Sequence, residues 1–177
     1  MKTAMNKWTK KLKINKMFIC MAFTLFFSIS SSAYAISASS CYSLDEAEAE
    51  QGLRIHSELM VIGLNCQHMQ RVGGPGLFAK YRNFTSEHEH LFEYYEDKMI
   101  GYYRRQGYKN PEKELNNLRT EFANKISNDA ARMRPDVFCY RYASRIDQVA
   151  DLSTSSVRKW ASTFYDSHPV SYPICKQ

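Results

Sequence analysis

The chain has 177 residues, enough for one domain, with 24 Lys and Arg against 18 Asp and Glu. Residues 1–35 hold six of the lysines and no acid, so the formal charge of +6 belongs to that segment and residues 36–177 are neutral. This balance excludes a domain that grips nucleic acid by bulk positive charge.

Lys2, Lys7, Lys10, Lys11, Lys13 and Lys16 precede an uncharged run from Met17 to Ile29, and a Ser-rich stretch closes at Ala33-Tyr34-Ala35. A basic start, an apolar centre and a small-x-small site make a secretory signal peptide, cleaved after Ala35. The alternative is an uncleaved N-terminal membrane anchor, but the 13 residues from Met17 to Ile29 fall short of the ~20 that a spanning helix needs. Cleavage leaves a single domain over residues 36–177, periplasmic or secreted, with no stable insertion in a membrane. Cys20 departs with the leader. Cys41, Cys66, Cys139 and Cys175 remain, an even number in an oxidising compartment, which predicts two disulfides.

The mature chain reads as helices. Ser43-Leu44-Asp45-Glu46 has the form of a capping box, and Ile55, Leu59, Ile62 and Cys66 recur on one helical face. Val72-Gly73-Gly74-Pro75-Gly76 ends that helix as a loop. A second helix is predicted from about Leu77 to Gln106, with Tyr81, Phe84, His88, Leu91, Tyr95, Met99 and Tyr102 inward and Gly107 as its stop. The third starts at Asn110-Pro111, Asn as cap and Pro at the first position; Leu115, Leu118, Phe122, Ile126, Ala130 and Met133 form its stripe. After Pro135, Asp136 caps a fourth helix with Phe138, Cys139, Tyr142, Ile146 and Val149 inward. A short fifth follows Ser153 or Thr154, with Val157, Trp160, Ala161 and Phe164 on one side. His168 to Gln177 is an extended tail. The fold class is therefore all-α: an antiparallel up-down bundle of four main helices, a short fifth helix and a C-terminal tail, stapled by disulfides.

That order constrains the cysteines. The stretch from Leu44 to Cys66 spans roughly 33 Å if helical, whereas a disulfide needs Cα atoms within about 7 Å, so Cys41 does not reach Cys66. Cys66 and the start of the fourth helix fall at one end of the bundle, Cys41 and the tail at the other. The predicted pairs are Cys66–Cys139 and Cys41–Cys175.

Two constellations carry candidate function. Tyr94, Tyr95, Tyr102, Tyr103 and Tyr108, with Arg104 and Arg105, crowd the end of the second helix, and Tyr and Arg dominate binding hot spots. Adjacent helical positions diverge by about 100°, so no single seam buries all of them. This set is the candidate surface for a protein partner in the cell envelope. His56 and His88 lie at similar heights on either side of the Gly-rich turn and, with Glu58 or Glu87, are the candidates for a metal or small-ligand site. Glu87 and His90 have the Glu-x-x-His spacing of di-iron bundles, yet no second such pair exists, so no metal is assigned. There is no G-x-S-x-G, H-E-x-x-H or G-x-x-x-x-G-K-[ST] motif. The expectation is an exported helical binding protein without recognisable catalytic machinery or cofactor, and an enzyme of unrecognised type is the further alternative.

Overall fold

Ser43 and Glu46 cap each other at the start of the first helix, α1 (Leu44–Asn65): the Glu46 N–H donates to Ser43 Oγ, and the Ser43 N–H donates to Glu46 Oε2 at 2.8 Å. The computed structural model describes residues 40–69 and 74–176. The expected leader over 1–35 lies outside the described residues. Every regular element among these residues is a helix. They are α1, α2 (Leu77–Glu87), α3 (Glu89–Arg105), α4 (Pro111–Arg132), α5 (Pro135–Tyr142), α6 (Ser144–Val149) and α7 (Thr154–Ala161).

α1 is the axis of the fold. It packs against each of the other helices, and it is buried without interruption from Glu46 to Ser57. The single stripe read from Ile55, Leu59, Ile62 and Cys66 is thus only part of its buried surface.

The second predicted helix is two helices. His88 leaves helical geometry at φ −107° and ψ 19°, and its ring turns inward to 2% exposure, edge-on to Phe84 at 4.8 Å between ring centres. Its N–H still donates to Phe84 O, while the Leu91 and Phe92 N–H groups both donate to His88 O, so the break spans one residue. α3 ends as the sequence predicts. Gly107 takes φ +81°, a value that suits glycine, and its N–H donates to Arg104 O while the Tyr108 N–H donates to Tyr103 O. Those two bonds, with Tyr108 packed edge-on against Tyr103, make a Schellman cap.

The cap on α4 is Asn110, whose side chain accepts from the Lys113 N–H at 2.9 Å; Leu115, Leu118, Phe122 and Ile126 are buried on its inner face. The fourth predicted helix is also divided. It begins at Pro135 with Arg134 in the cap position; Asp136 falls inside the first turn, where its carboxylate accepts from the Arg134 guanidinium. At Ala143 the angles stay helical, but the Ile146 N–H reaches only three residues back to Ala143 O. Phe138, Cys139, Tyr142, Ile146 and Val149 nevertheless all point inward. Ser153 caps α7; Val157 and Ala161 are buried, Trp160 is half-buried, and Phe164 stands exposed instead of joining the stripe.

Cys66 and Cys139 stand 5.6 Å apart between Cα atoms, and Cys41 and Cys175 stand 5.0 Å apart, both within bonding geometry. Non-reducing peptide mapping should therefore yield a Cys66–Cys139 and a Cys41–Cys175 linked peptide and none joining Cys41 to Cys66. A second expectation concerns Gly52. A Cβ there would run into the Tyr95 ring, which is wholly buried, so Gly52→Ala should cost about 1–3 kcal/mol through overpacking, read from the urea midpoint.

Candidate functional site

The first turns of α1 carry Asp45-Glu46-Ala47-Glu48-Ala49-Glu50, a run that ordinarily faces water. Glu46, Glu48 and Glu50 are buried. Each finds a different neighbour. Glu46 pairs with Arg105 at the end of α3. Glu48 accepts from Arg158 Nε of α7 at 2.8 Å and from the Tyr95 hydroxyl of α3 at 3.0 Å; burial, and then the Glu48 charge, hold that phenol well above its usual range. Glu50 accepts the Ser171 N–H at 2.9 Å and Arg54 Nη2 at 3.1 Å.

Arg54 and Gln51 then reach the C-terminal segment. Arg54 Nη2 donates to Pro169 O at 2.8 Å, and its guanidinium lies over the Phe122 ring at 4.5 Å. Gln51 Nε2 donates to His168 O at 2.6 Å. Further along, the Tyr42 N–H donates to Pro173 O and the Cys175 N–H to Tyr42 O, each at 2.8 Å.

Between α7 and that anchored stretch the chain bows away from α1. A cavity of about 280 Å³ opens between α1, α6, α7 and residues 163–168. Gln51, Arg54, Ile55 and Glu58 form its floor, Arg145 and Gln148 one side, and Trp160, Thr163, Tyr165 and His168 the other. Both guanidiniums are already neutralised, Arg54 by Glu50 and Arg145 by Glu58, each pair at 3.1 Å. The Gln148 amide, the Trp160 indole N–H and the Tyr165 hydroxyl make no hydrogen bond within the described residues. A second cavity, about 380 Å³, lies between α1 and α4, lined by His56, Met60, Asn116, Arg119 and Ala123 among others.

The structure divides the predicted Tyr/Arg set. Tyr95, Tyr102 and Tyr103 are core residues. Tyr102 meets Tyr42 edge-on at 4.6 Å and Tyr172 at 5.4 Å, so these tyrosines hold the C-terminal segment against α3 and present no face to a partner. Arg105 is committed to Glu46. Arg104 and Tyr108 are exposed and Tyr94 is half-buried. Both of the adjacent tyrosines at 102 and 103 thus find buried neighbours, and of the predicted set Tyr94, Arg104, Arg105 and Tyr108 reach solvent.

The histidines are not brought together as a chelating group. His56 Nε2 lies 3.1 Å from the Tyr81 hydroxyl, and its ring is 4.6 Å from that of Phe92. His88 Nδ1 lies 3.1 Å from Thr154 Oγ1 at the start of α7. Glu58 faces Arg145, while Glu87 and His90 are exposed. Among the described residues no three His, Cys, Asp or Glu side chains gather as a metal ion would require.

The chain matches no protein-family model, no curated protein and no solved structure. The cavity beside Trp160 is therefore read from its own chemistry. Its residues escape pattern analysis because they come from three separate stretches; the one signal in the sequence is Trp160, which the periodicity places on the apolar side of the fifth helix.

Burial, and secondarily the Arg119 charge, hold the His56 imidazole at about 4 instead of 6.5. The folded state thus keeps His56 neutral where the unfolded chain takes up a proton. The resulting stability is full above pH 6.5 and is lost as pH falls from 6.5 towards 4, by up to about 3 kcal/mol. Chemical denaturation across that range should show the loss, and His56→Gln should flatten the slope.

Proposed function

We propose that this chain is an exported helical binding protein that takes a small ligand in the cavity between α1, α6, α7 and residues 163–168. Export is supported by the leader pattern ending at Ala35 and by two cysteine pairs at disulfide distance. No helix among the described residues is long and apolar enough to cross a membrane. The up-down order of the bundle is supported by the order of side-chain partners: Glu46 with Arg105, Glu48 with Tyr95 and His56 with Tyr81 run oppositely along the first two segments. Glu96 with Arg119 and Arg104 with Glu112 do the same between α3 and α4.

The observation that carries the binding reading is that Gln148, Trp160 and Tyr165, whose polar groups are open, line a concave site whose charges are already paired. A protein partner in the cell envelope is the second reading. It is favoured by Tyr140, 89% exposed beside exposed Val137 on α5, a more open aromatic than any of the sequence-predicted tyrosines. For the metal alternative, a metal at His56 Nε2 or His88 Nδ1 would displace the Tyr81 or the Thr154 hydroxyl that now faces it.

Protein isolated from a periplasmic fraction provides the test. Its mass should correspond to a chain beginning at Ile36, and denaturation should release a small molecule from the wild type but not from a Trp160→Ala, Gln148→Ala double variant. Release of nothing from either, with a protein co-purifying through Tyr140, would replace the cavity with the second reading.

A further inference from the structure

We propose that the cavity beside Trp160 binds an uncharged sugar ring, an inference that rests on the binding reading above and names its ligand class. Charge comes first. An anion would have to compete with Glu50 for Arg54 or with Glu58 for Arg145, and a cation would have to compete for the same carboxylates. Arg54 and Glu50 are both buried, and separating a buried pair leaves an uncompensated charge. A neutral ligand disturbs neither pair.

The open groups then select hydroxyls. The Gln148 amide offers both donors and an acceptor, the Tyr165 hydroxyl offers one of each, and the Trp160 indole offers a donor. Thr163 Oγ1 has spent its proton on Lys159 O at 2.8 Å and retains acceptor capacity. These groups stand on α6, on α7 and on the segment after it, so they surround the cavity and do not line one edge. A planar heterocycle offers its donors and acceptors along an edge. A sugar ring carries them around its whole rim, each hydroxyl donating and accepting.

Apolar surface completes the match. Trp160, Tyr165 and Ile55 give the cavity aromatic and aliphatic walls, and the C–H face of a sugar ring is the apolar surface that such walls cover. At about 280 Å³ the cavity lies just under the ~300–1,000 Å³ of drug-sized sites, which suits one ring and not an extended chain.

Trp160 reports its own occupancy. The chain has two tryptophans, so the full chain with Trp8→Phe emits from Trp160 alone. It is titrated with glucose, galactose and N-acetylglucosamine, and in parallel with acetate, glycine, inorganic phosphate, indole and adenosine. At least one sugar should produce a saturable change in Trp160 emission at millimolar concentration. Gln148→Ala and Tyr165→Ala should each weaken that response tenfold or more, with unchanged circular dichroism and melting temperature. If indole, adenosine or a charged probe saturates while no sugar does, the sugar assignment fails and the binding site stands. If no probe alters Trp160 emission, the cavity is not a site for small ligands and both readings fall.

Discussion

Three carboxylates buried on one helix govern the arrangement of everything around it. Removing a carboxylate from water costs several kcal/mol unless a partner of good geometry replaces the solvent. Glu46 and Glu50 sit one turn apart and share a face of α1, whereas Glu48 lies on nearly the opposite side. Their partners are correspondingly dispersed: Arg105 on α3, Arg158 on α7 and the Ser171 N–H on the C-terminal segment. Each pairing fixes an angular position around α1, so the acids act as address marks for neighbours that an apolar stripe alone would leave free to slide. Ala47 and Ala49, fully buried between them, keep the spaces between the charged side chains narrow enough for those neighbours to close in.

The same polarity explains how a segment without secondary structure of its own is held in place. Residues 168–173 run past α1 with main-chain groups that neither helix nor sheet satisfies, and buried main-chain groups need partners. The side chains of α1 supply them. Gln51 and Arg54 donate to the His168 and Pro169 carbonyls, Glu50 accepts from Ser171, and the Tyr42 N–H closes the series at Pro173. Tyr42, Tyr102 and Tyr172 cover this stretch with mutually perpendicular or tilted rings, and Cys175 ends it beside Cys41. An α1 with Leu in place of its acids would bury more apolar area but would leave the Ser171 N–H without its acceptor and Arg54 without its counter-charge.

Helical content was legible because it rests on local rules. The capping box at Ser43, the Asn110-Pro111 start and the Gly107 stop each depend on a few adjacent residues, and so does the three-and-four spacing that places Phe122 or Ile146 inward. The breaks at His88 and Ala143 were not legible. His88 continues the apolar period without error, and the hydroxyl its turned ring meets is that of Thr154, 66 residues away. The burial of the α1 acids was not legible for a related reason: an alternation of Glu and Ala looks solvated until Arg105, Arg158 and residues 168–171 are folded onto it. The stripe places Tyr95 and Tyr102 inward, but the burial of Tyr103 beside Tyr102 was not legible, because a single neighbour cannot bury both and α3 has neighbours on more than one side.

The cavity follows from where these partners stop. The C-terminal segment is bound to α1 at His168, Pro169 and Ser171, whereas between Thr163 and Ser167 no α1 side chain engages its main chain among the described residues. The chain must still travel from the end of α7 at Ala161 to His168, and it does so as an arch closed on itself by the Tyr165–His168 bridge. An arch over a helix leaves a hollow, and here the hollow is floored by Gln51 and Arg54, the residues that pin the far foot of the arch. Scaffold and site therefore share side chains. The groups that fix the segment are charge-neutral as a set, while those left open, on Gln148, Trp160 and Tyr165, stand on the walls above them.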